Sequence, residues 1–235
     1  MDRHDIRANQ VMTHILLVED DAVIRETTQL SLERDGFTVS VAEDGITGLE
    51  KFRAEAPDVA LLDLMLPGMN GVSLCRQIRE ESPTPVIMMS ARSDPIDVVL
   101  GLEAGADDYV TKPFDSTVLV ARIRAVVRRM GRAEAVNDEQ PLRFGDLEVQ
   151  RNGLEVRVAG QPVELTPTEL RLLLCFVDSP GNVLTRDVLL EQVWDYQWGG
   201  DSRVVDVHVQ RLRAKVGQDR IETVRGFGYK LKTGS

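Results

Sequence analysis

The chain has 235 residues, with 28 Lys and Arg against 38 Asp and Glu, a formal charge of −10 at pH 7. That length suits one large domain or two ordinary ones at ~100–200 residues each. No apolar run reaches the ~18–20 residues that cross a bilayer, and the N-terminus lacks a signal-peptide pattern, so neither a membrane partner nor export is expected. Two cysteines, Cys75 and Cys175, exclude a disulfide framework or a cysteine-rich zinc site and fit a reducing cytoplasm.

The charge is unevenly spread. Residues 1–140 carry the whole −10, whereas 141–235 hold 13 charges of each sign. Within the second part, 203–232 has eight basic and three acidic residues. Two units with different partners are expected: 12–131, a linker at 132–140, and 141–235.

Residues 1–11 are polar and aperiodic and are expected to lie outside the fold, as an extension or an early start. Apolar runs then recur at Ile15–Val18, Thr38–Val41, Val59–Leu62, Val86–Met89 and Asp108–Val110. Between them lie helical spacings, such as Ile24, Leu30 and Leu32, then Leu74 and Ile78, and finally Val118 to Val127 after Asp115. Five strands alternating with five helices predict an α/β fold, a doubly wound five-stranded parallel sheet. In such sheets functional groups collect at the carboxyl ends of the strands. Here those ends hold Glu19-Asp20-Asp21, then Asp63, then Ser90, then Lys112-Pro113. A single acid after a strand is usually a helix cap, and Asp21 is expected to be one. All four strand ends together point further. Converging carboxylates favour Mg²⁺, and a Lys and a hydroxyl beside them suit a phosphoryl group.

The stretches Leu16–Asp21, Leu62–Gly71, Ser90-Ala91-Arg92 and Gly105–Phe114 resemble a bacterial response-regulator receiver domain. The resemblance implies that Asp63 is the phosphoacceptor. It implies Mg²⁺ held by Asp20, Asp63 and the Met65 carbonyl, with Glu19 assisting. Ser90 and Lys112 would hold the phosphoryl group, and Tyr109 would turn inward once Ser90 is drawn to it. The family's dimer face is made by the fourth helix, fifth strand and fifth helix. Asp108 with Arg122 and Glu103 with Arg124 match its ion pairs, while Val98 and Val118 replace a third. An apolar contact there predicts weaker salt sensitivity of the dimer.

In the second unit, Leu142–Phe144, Leu147–Val149, Leu154–Val158 and Val163–Leu165 predict a small antiparallel meander, with a turn at Asn152-Gly153. Thr166-Pro167-Thr168-Glu169 is a capping box opening a helix buried through Leu170, Leu173, Leu174 and Val177. A second helix runs from Thr185 to about Trp194, followed by a loop, Tyr196–Asp201. A third, from about Ser202 to Val216, buries Val205, Val209, Leu212 and Val216. Its neighbouring face presents His208, Arg211 and Lys215, as a major-groove helix requires. Ile221–Leu231 is a hairpin with a basic glycine-rich tip that suits a minor groove. A basic helical face alone is more often merely solvated; the adjoining hairpin shifts that balance.

Arg203–Lys215 followed by Thr223–Tyr229 resembles the OmpR/PhoB winged-helix output domain, a smaller α+β unit. The resemblance implies DNA contacts from Arg203, His208, Arg211, Arg213, Lys215, Thr223 and Arg225. It also implies promoter DNA with tandem direct repeats, a homodimer on phosphorylation, a sensor histidine kinase as donor, and RNA polymerase near the Tyr196–Asp201 loop. The expected protein is a cytoplasmic two-component response regulator, not a multiple-turnover enzyme. A Mg²⁺-dependent phosphatase would need an acid two residues after Asp63, where Met65 stands. No phosphate-binding Gly-x-x-x-x-Gly-Lys loop supports an NTPase. A phosphorylation-independent regulator would not need the full acidic set. Cys75 and Cys175 are expected to be buried, inert thiols.

Overall fold

The computed structural model describes residues 12–91, 95–131, 141–151, 154–195 and 202–233, with side chains omitted at 95–96 and 129–131. The segment 1–11, the 132–140 linker, Arg92, the Asn152-Gly153 turn and the Tyr196–Asp201 loop lie outside the described residues. In chain order the first elements are β1 (His14–Val18), α1 (Ala22–Arg34), β2 (Thr38–Ala42), α2 (Gly45–Glu55) and β3 (Val59–Asp63). There follow α3 (Gly71–Glu81), β4 (Val86–Ser90), α4 (Pro95–Glu103), β5 (Asp108–Thr111) and α5 (Ser116–Gly131). All five strands are parallel, in the order β2-β1-β3-β4-β5. The order reverses between β1 and β3, so the crevice for a ligand opens above their carboxyl ends.

Strand periodicity sorts the side chains. Leu16, Val18, Ala60, Leu62, Val86 and Met88 pack toward α2, α3 and α4, while Ile15, Leu17, Val59, Leu61, Ile87 and Met89 pack toward α1 and α5. Asp21 caps α1 by accepting from the Ile24 N–H, as expected. Within α1, Leu30 is exposed and Leu32 takes the buried place in that turn.

The second group comprises β6 (Leu142–Phe144), β7 (Leu147–Gln150), β8 (Glu155–Val158), β9 (Gln161–Pro162), α6 (Pro167–Asp178), β10 (Leu184–Thr185) and α7 (Arg186–Leu189). The last continues as a π-helical turn, Leu190–Trp194; then come α8 (Arg203–Val216), β11 (Ile221–Val224) and β12 (Gly228–Leu231). Strands β6 to β9 form the antiparallel meander, and β10-β12-β11 form the hairpin sheet. Val163–Leu165 is not a strand: pairing stops at Pro162, which has no N–H, and the chain enters the α6 cap after one further bond from the Val163 N–H to Val156 O. The capping box is complete, Thr166 Oγ1 accepting from the Glu169 N–H while the Glu169 carboxylate accepts from the Thr166 N–H. Val205, Val209, Leu212 and Val216 are all fully buried. No helix of the described residues is long and apolar enough to cross a membrane.

Candidate functional site

The acidic site forms where β1 and β3 end. Glu19 and Asp63 are buried and Asp20 is exposed, and their carboxylate oxygens come within 4.8 Å of one another. Lys112, just past β5, donates to Asp63 Oδ2 at 2.9 Å and to Glu19 Oε2. The Met65 N–H donates to Asp63 Oδ1 at 3.3 Å, and the Arg25 guanidinium braces the Glu19 and Asp20 carbonyls. Ser90, buried at the end of β4, accepts from the Lys112 N–H through its carbonyl at 2.7 Å. Gly71 is required here, because a Cβ at that position would lie 2.0 Å from the Asp63 carbonyl oxygen.

Burial pushes the Glu19 carboxyl above its ordinary range, and the nearby Asp63 and Asp20 charges add to this, only partly offset by Lys112. Its Oε1 is buried and has no hydrogen-bond partner. A buried, partnerless carboxylate oxygen beside two further carboxylates is the donor set a hard divalent cation takes. Glu19, Asp20 and Asp63 therefore fit a divalent cation such as Mg²⁺. Every residue expected at this site is thus brought to one sheet edge. Tyr109, on β5, is half-buried and packs against the larger core.

The expected dimer face is covered from within the chain. Helix α8 packs on α4, while α6 and the Leu190–Trp194 turn pack on α5. Two side chains of the second unit make three hydrogen bonds to carbonyls at the end of α4 and in the loop before β5. Arg211 donates to Ala106 O at 2.8 Å and Leu102 O at 3.4 Å, and Trp194 Nε1–H donates to Asp107 O at 3.0 Å. Asp107 is itself buried, tied to Arg79 and the Val86 N–H; burial opposes its charge, but Arg79 and Arg211 hold its carboxyl below the usual range.

The expected dimer residues are consequently divided. Val98 is buried and Val118 is exposed, so they do not present one apolar patch in this conformation. Asp108 and Arg122 pair within the chain at 3.0 Å. Arg124 pairs with Asp35 at 3.4 Å, and Glu103 is exposed.

The expected DNA face of α8 also departs from a solvated stripe. His208 is fully buried, its Nδ1 donating to Val204 O at 2.8 Å, its ring edge-on to Trp194 at 5.1 Å. Arg213 is buried against the hairpin, donating to Ile221 O and Thr223 Oγ1. In this conformation neither is placed to touch DNA, because the helix turns them toward protein on either side. Arg211 and Lys215 both pair with the fully buried Glu169, at 2.8 and 2.7 Å. Arg203 is half-buried, whereas Thr223 and Arg225 are exposed.

Sequence reasoning missed Glu169 as a counter-charge, Trp194 as a contact, and Asp107 and Arg79 altogether. The capping box explained Glu169 sufficiently, and nothing in the local pattern of Trp194 points across to another unit. Cys75 is buried as expected while Cys175 is half-buried, and burial pushes both thiols up to about 11.

Residues 15–124 match the response regulator receiver domain family, and residues 160–231 match the C-terminal domain of transcriptional regulatory proteins. The transcriptional regulatory protein CseB of Streptomyces coelicolor is 70% identical over 229 residues, covering 94% of this chain and 98% of that one. The DNA-binding response regulator MtrA of Mycobacterium tuberculosis is 48% identical over 224 residues, covering 92% and 95%. Among solved structures, the response regulator DrrB of Thermotoga maritima, an OmpR/PhoB homologue, is 34% identical with a TM-score of 0.51, covering 94% and 99%. A cysteine-to-serine mutant of RitR is 28% identical with a TM-score of 0.72, covering 94% and 100%. With a receiver sheet, a winged helix and relatives matched along nearly their whole length, the chain belongs to the OmpR/PhoB family of two-component response regulators, transcription regulators that bind DNA.

Proposed function

We propose that Asp63 accepts a phosphoryl group from a sensor histidine kinase and that this modification releases the winged helix for promoter DNA. The observation that carries the reading is the convergence of Glu19, Asp20 and Asp63 with Lys112 at one sheet edge. An Asp63 oxygen is the nucleophile; Lys112, now shared between two carboxylates, neutralises the arriving phosphoryl oxygens, and the Ser90 hydroxyl hydrogen-bonds them. Glu19, Asp20, Asp63 and the Met65 carbonyl would hold Mg²⁺, which would supply charge neutralisation for phosphoryl transfer. Met65, unlike an acid, cannot activate water against the acyl phosphate, so the group persists as a signal.

The new charge, about −1.5 to −2, draws Ser90 and Lys112 and lets Tyr109 move. Tyr109 lies two residues after Asp107, whose carbonyl and that of Ala106 are gripped by Trp194 and Arg211, so its movement disturbs their acceptors. Opening exposes two faces together. The α4–β5–α5 face, with Val98, Glu103, Asp108, Val118, Arg122 and Arg124, then forms the homodimer. Helix α8 and the hairpin then meet DNA through Arg203, Arg211, Lys215, Thr223 and Arg225. Tandem direct repeats, RNA polymerase near 196–201, a cytoplasmic setting, and the divisions 12–131, 132–140 and 141–235 complete the proposal. Asp63→Asn tests it: with acetyl phosphate and Mg²⁺, phosphate-affinity gels should show no shifted band while the circular dichroism is unchanged. A shifted band of normal intensity would overturn the assignment.

A further inference from the structure

We infer that His208 makes the closed arrangement acid-labile: a proton taken up by its ring releases the receiver from α8 and frees the output domain without phosphorylation. The inference goes beyond phosphorylation-driven opening, but rests on the reading that opening is what exposes α8 to DNA.

The geometry is that of a wedge between latch residues. The imidazole is fully buried. One ring nitrogen, Nδ1, donates to Val204 O at 2.8 Å, so its hydrogen is committed to the helix. The other, Nε2, lies 3.4 Å from Arg211 Nη1, the same guanidinium nitrogen that donates to Ala106 O and Leu102 O. The ring packs in a T-shaped contact against Trp194, whose N–H holds Asp107 O. A proton on Nε2 would remove an acceptor and set an imidazolium against a guanidinium without water between them. The two hydrogen-bonded ties at this point, through Arg211 and through Trp194, would be disturbed by one event.

The surrounding charges do not absorb that cation. Asp107 from the receiver faces the ring but is committed to Arg79 and the Val86 N–H. Glu169 from α6 already serves Arg211 and Lys215. Helix α4, packed against α8, contributes Asp97 and the exposed Glu103. Burial foremost, then Arg211, drives the imidazole down to about 3, with Asp107 and Glu169 only partly opposing. Once uncovered, the ring returns toward the ordinary ~6.5 of histidine. The open state then binds the proton more tightly, so acid favours opening. Linkage across that difference raises the open-to-closed ratio about tenfold between pH 7.5 and 5.5.

The test uses the unphosphorylated full chain with one dye on each domain, read by single-molecule energy transfer at both pH values, beside His208→Gln. The expected result is a roughly tenfold rise in the open-to-closed ratio for the parent and a flat ratio for the variant. An unchanged parent, equal opening in both proteins, or loss of near-ultraviolet tryptophan dichroism before opening would overturn the inference. Should the variant not fold, histidine NMR of the parent decides, since the chain holds only three histidines. A His208 signal titrating in step with opening supports it, and a signal that stays neutral through opening refutes it. Acid opening with no gain in affinity for a random-sequence DNA duplex would overturn instead the assignment of α8 to DNA, leaving the His208 latch standing.

Discussion

Trp194→Phe is the sharpest perturbation of the covered state. Phenylalanine keeps an aromatic ring against His208 but has no N–H to give to Asp107 O. The indole is fully buried, so the carbonyl it leaves is shielded from water as long as the domains stay together. An unsatisfied buried acceptor costs about 1–3 kcal/mol, and this cost vanishes when opening lets water reach the carbonyl. The open-to-closed ratio should therefore rise about 5- to 150-fold. The smaller ring also leaves a gap inside the winged helix, which lowers that domain's own stability. The two effects have opposite signs in a binding assay: opening raises DNA affinity, whereas partial unfolding lowers it. Fluorescence anisotropy of a labelled duplex at low salt, with unphosphorylated protein, should show tighter binding by the variant, and scattering should show a larger radius of gyration. A folded variant with the parent's compact scattering and unchanged affinity would refute the idea that this contact holds the domains closed.

Other expectations follow from the same contacts. Glu19→Gln removes a carboxylate whose folded-state pKa is raised, a group that costs the fold stability as pH rises above about 4.5. At pH 7 the variant should melt a few degrees higher without Mg²⁺ and gain less on adding it, as calorimetry would show. Glu169→Gln keeps the helix cap but leaves Arg211 without a counter-charge, a loss of roughly 1.5–3 kcal/mol, with little added from the more exposed Lys215. Because Glu169 is depressed in the fold, its contribution exists above the unfolded value and fades as pH falls through the folded one, so the gap from the parent should narrow in acid. Gly71→Ala puts a methyl 2.0 Å from Asp63 O and should cost at least 1–3 kcal/mol of receiver stability by denaturant melts, with slower phosphorylation.

The parallel sheet was legible because β1, β3 and β4 are buried apolar runs that end at an acid or a hydroxyl, and the alternation with helices repeats in order. The acidic site was legible for the same reason: βα connections are short, so a residue that ends a strand in sequence ends it in space. The α6 cap and the buried stripe of α8 were equally readable, being local and periodic. Val163–Leu165 misled because alternation says nothing about whether a partner strand continues, and Pro162 stops it.

What local pattern could not show is which surface α8 would meet. A face of His208, Arg211 and Lys215 suits a phosphate backbone, but its donors suit helix-end carbonyls and a buried carboxylate equally well. Half of the basic residues in 203–232 are correspondingly engaged in ion pairs. Arg211 and Lys215 answer to Glu169, Arg220 to Asp146 and Lys230 to Glu222. Glu169 sits within the output domain, so separating the domains does not release Arg211 from it. DNA phosphates must compete with that carboxylate as well as with the receiver's carbonyls. The two restraints differ in kind: the carbonyls are lost on opening, whereas Glu169 stays and sets how strongly Arg211 can turn toward a phosphate. Charge distribution points to the segment proposed to face DNA, but the pairing of those charges decides when they can act.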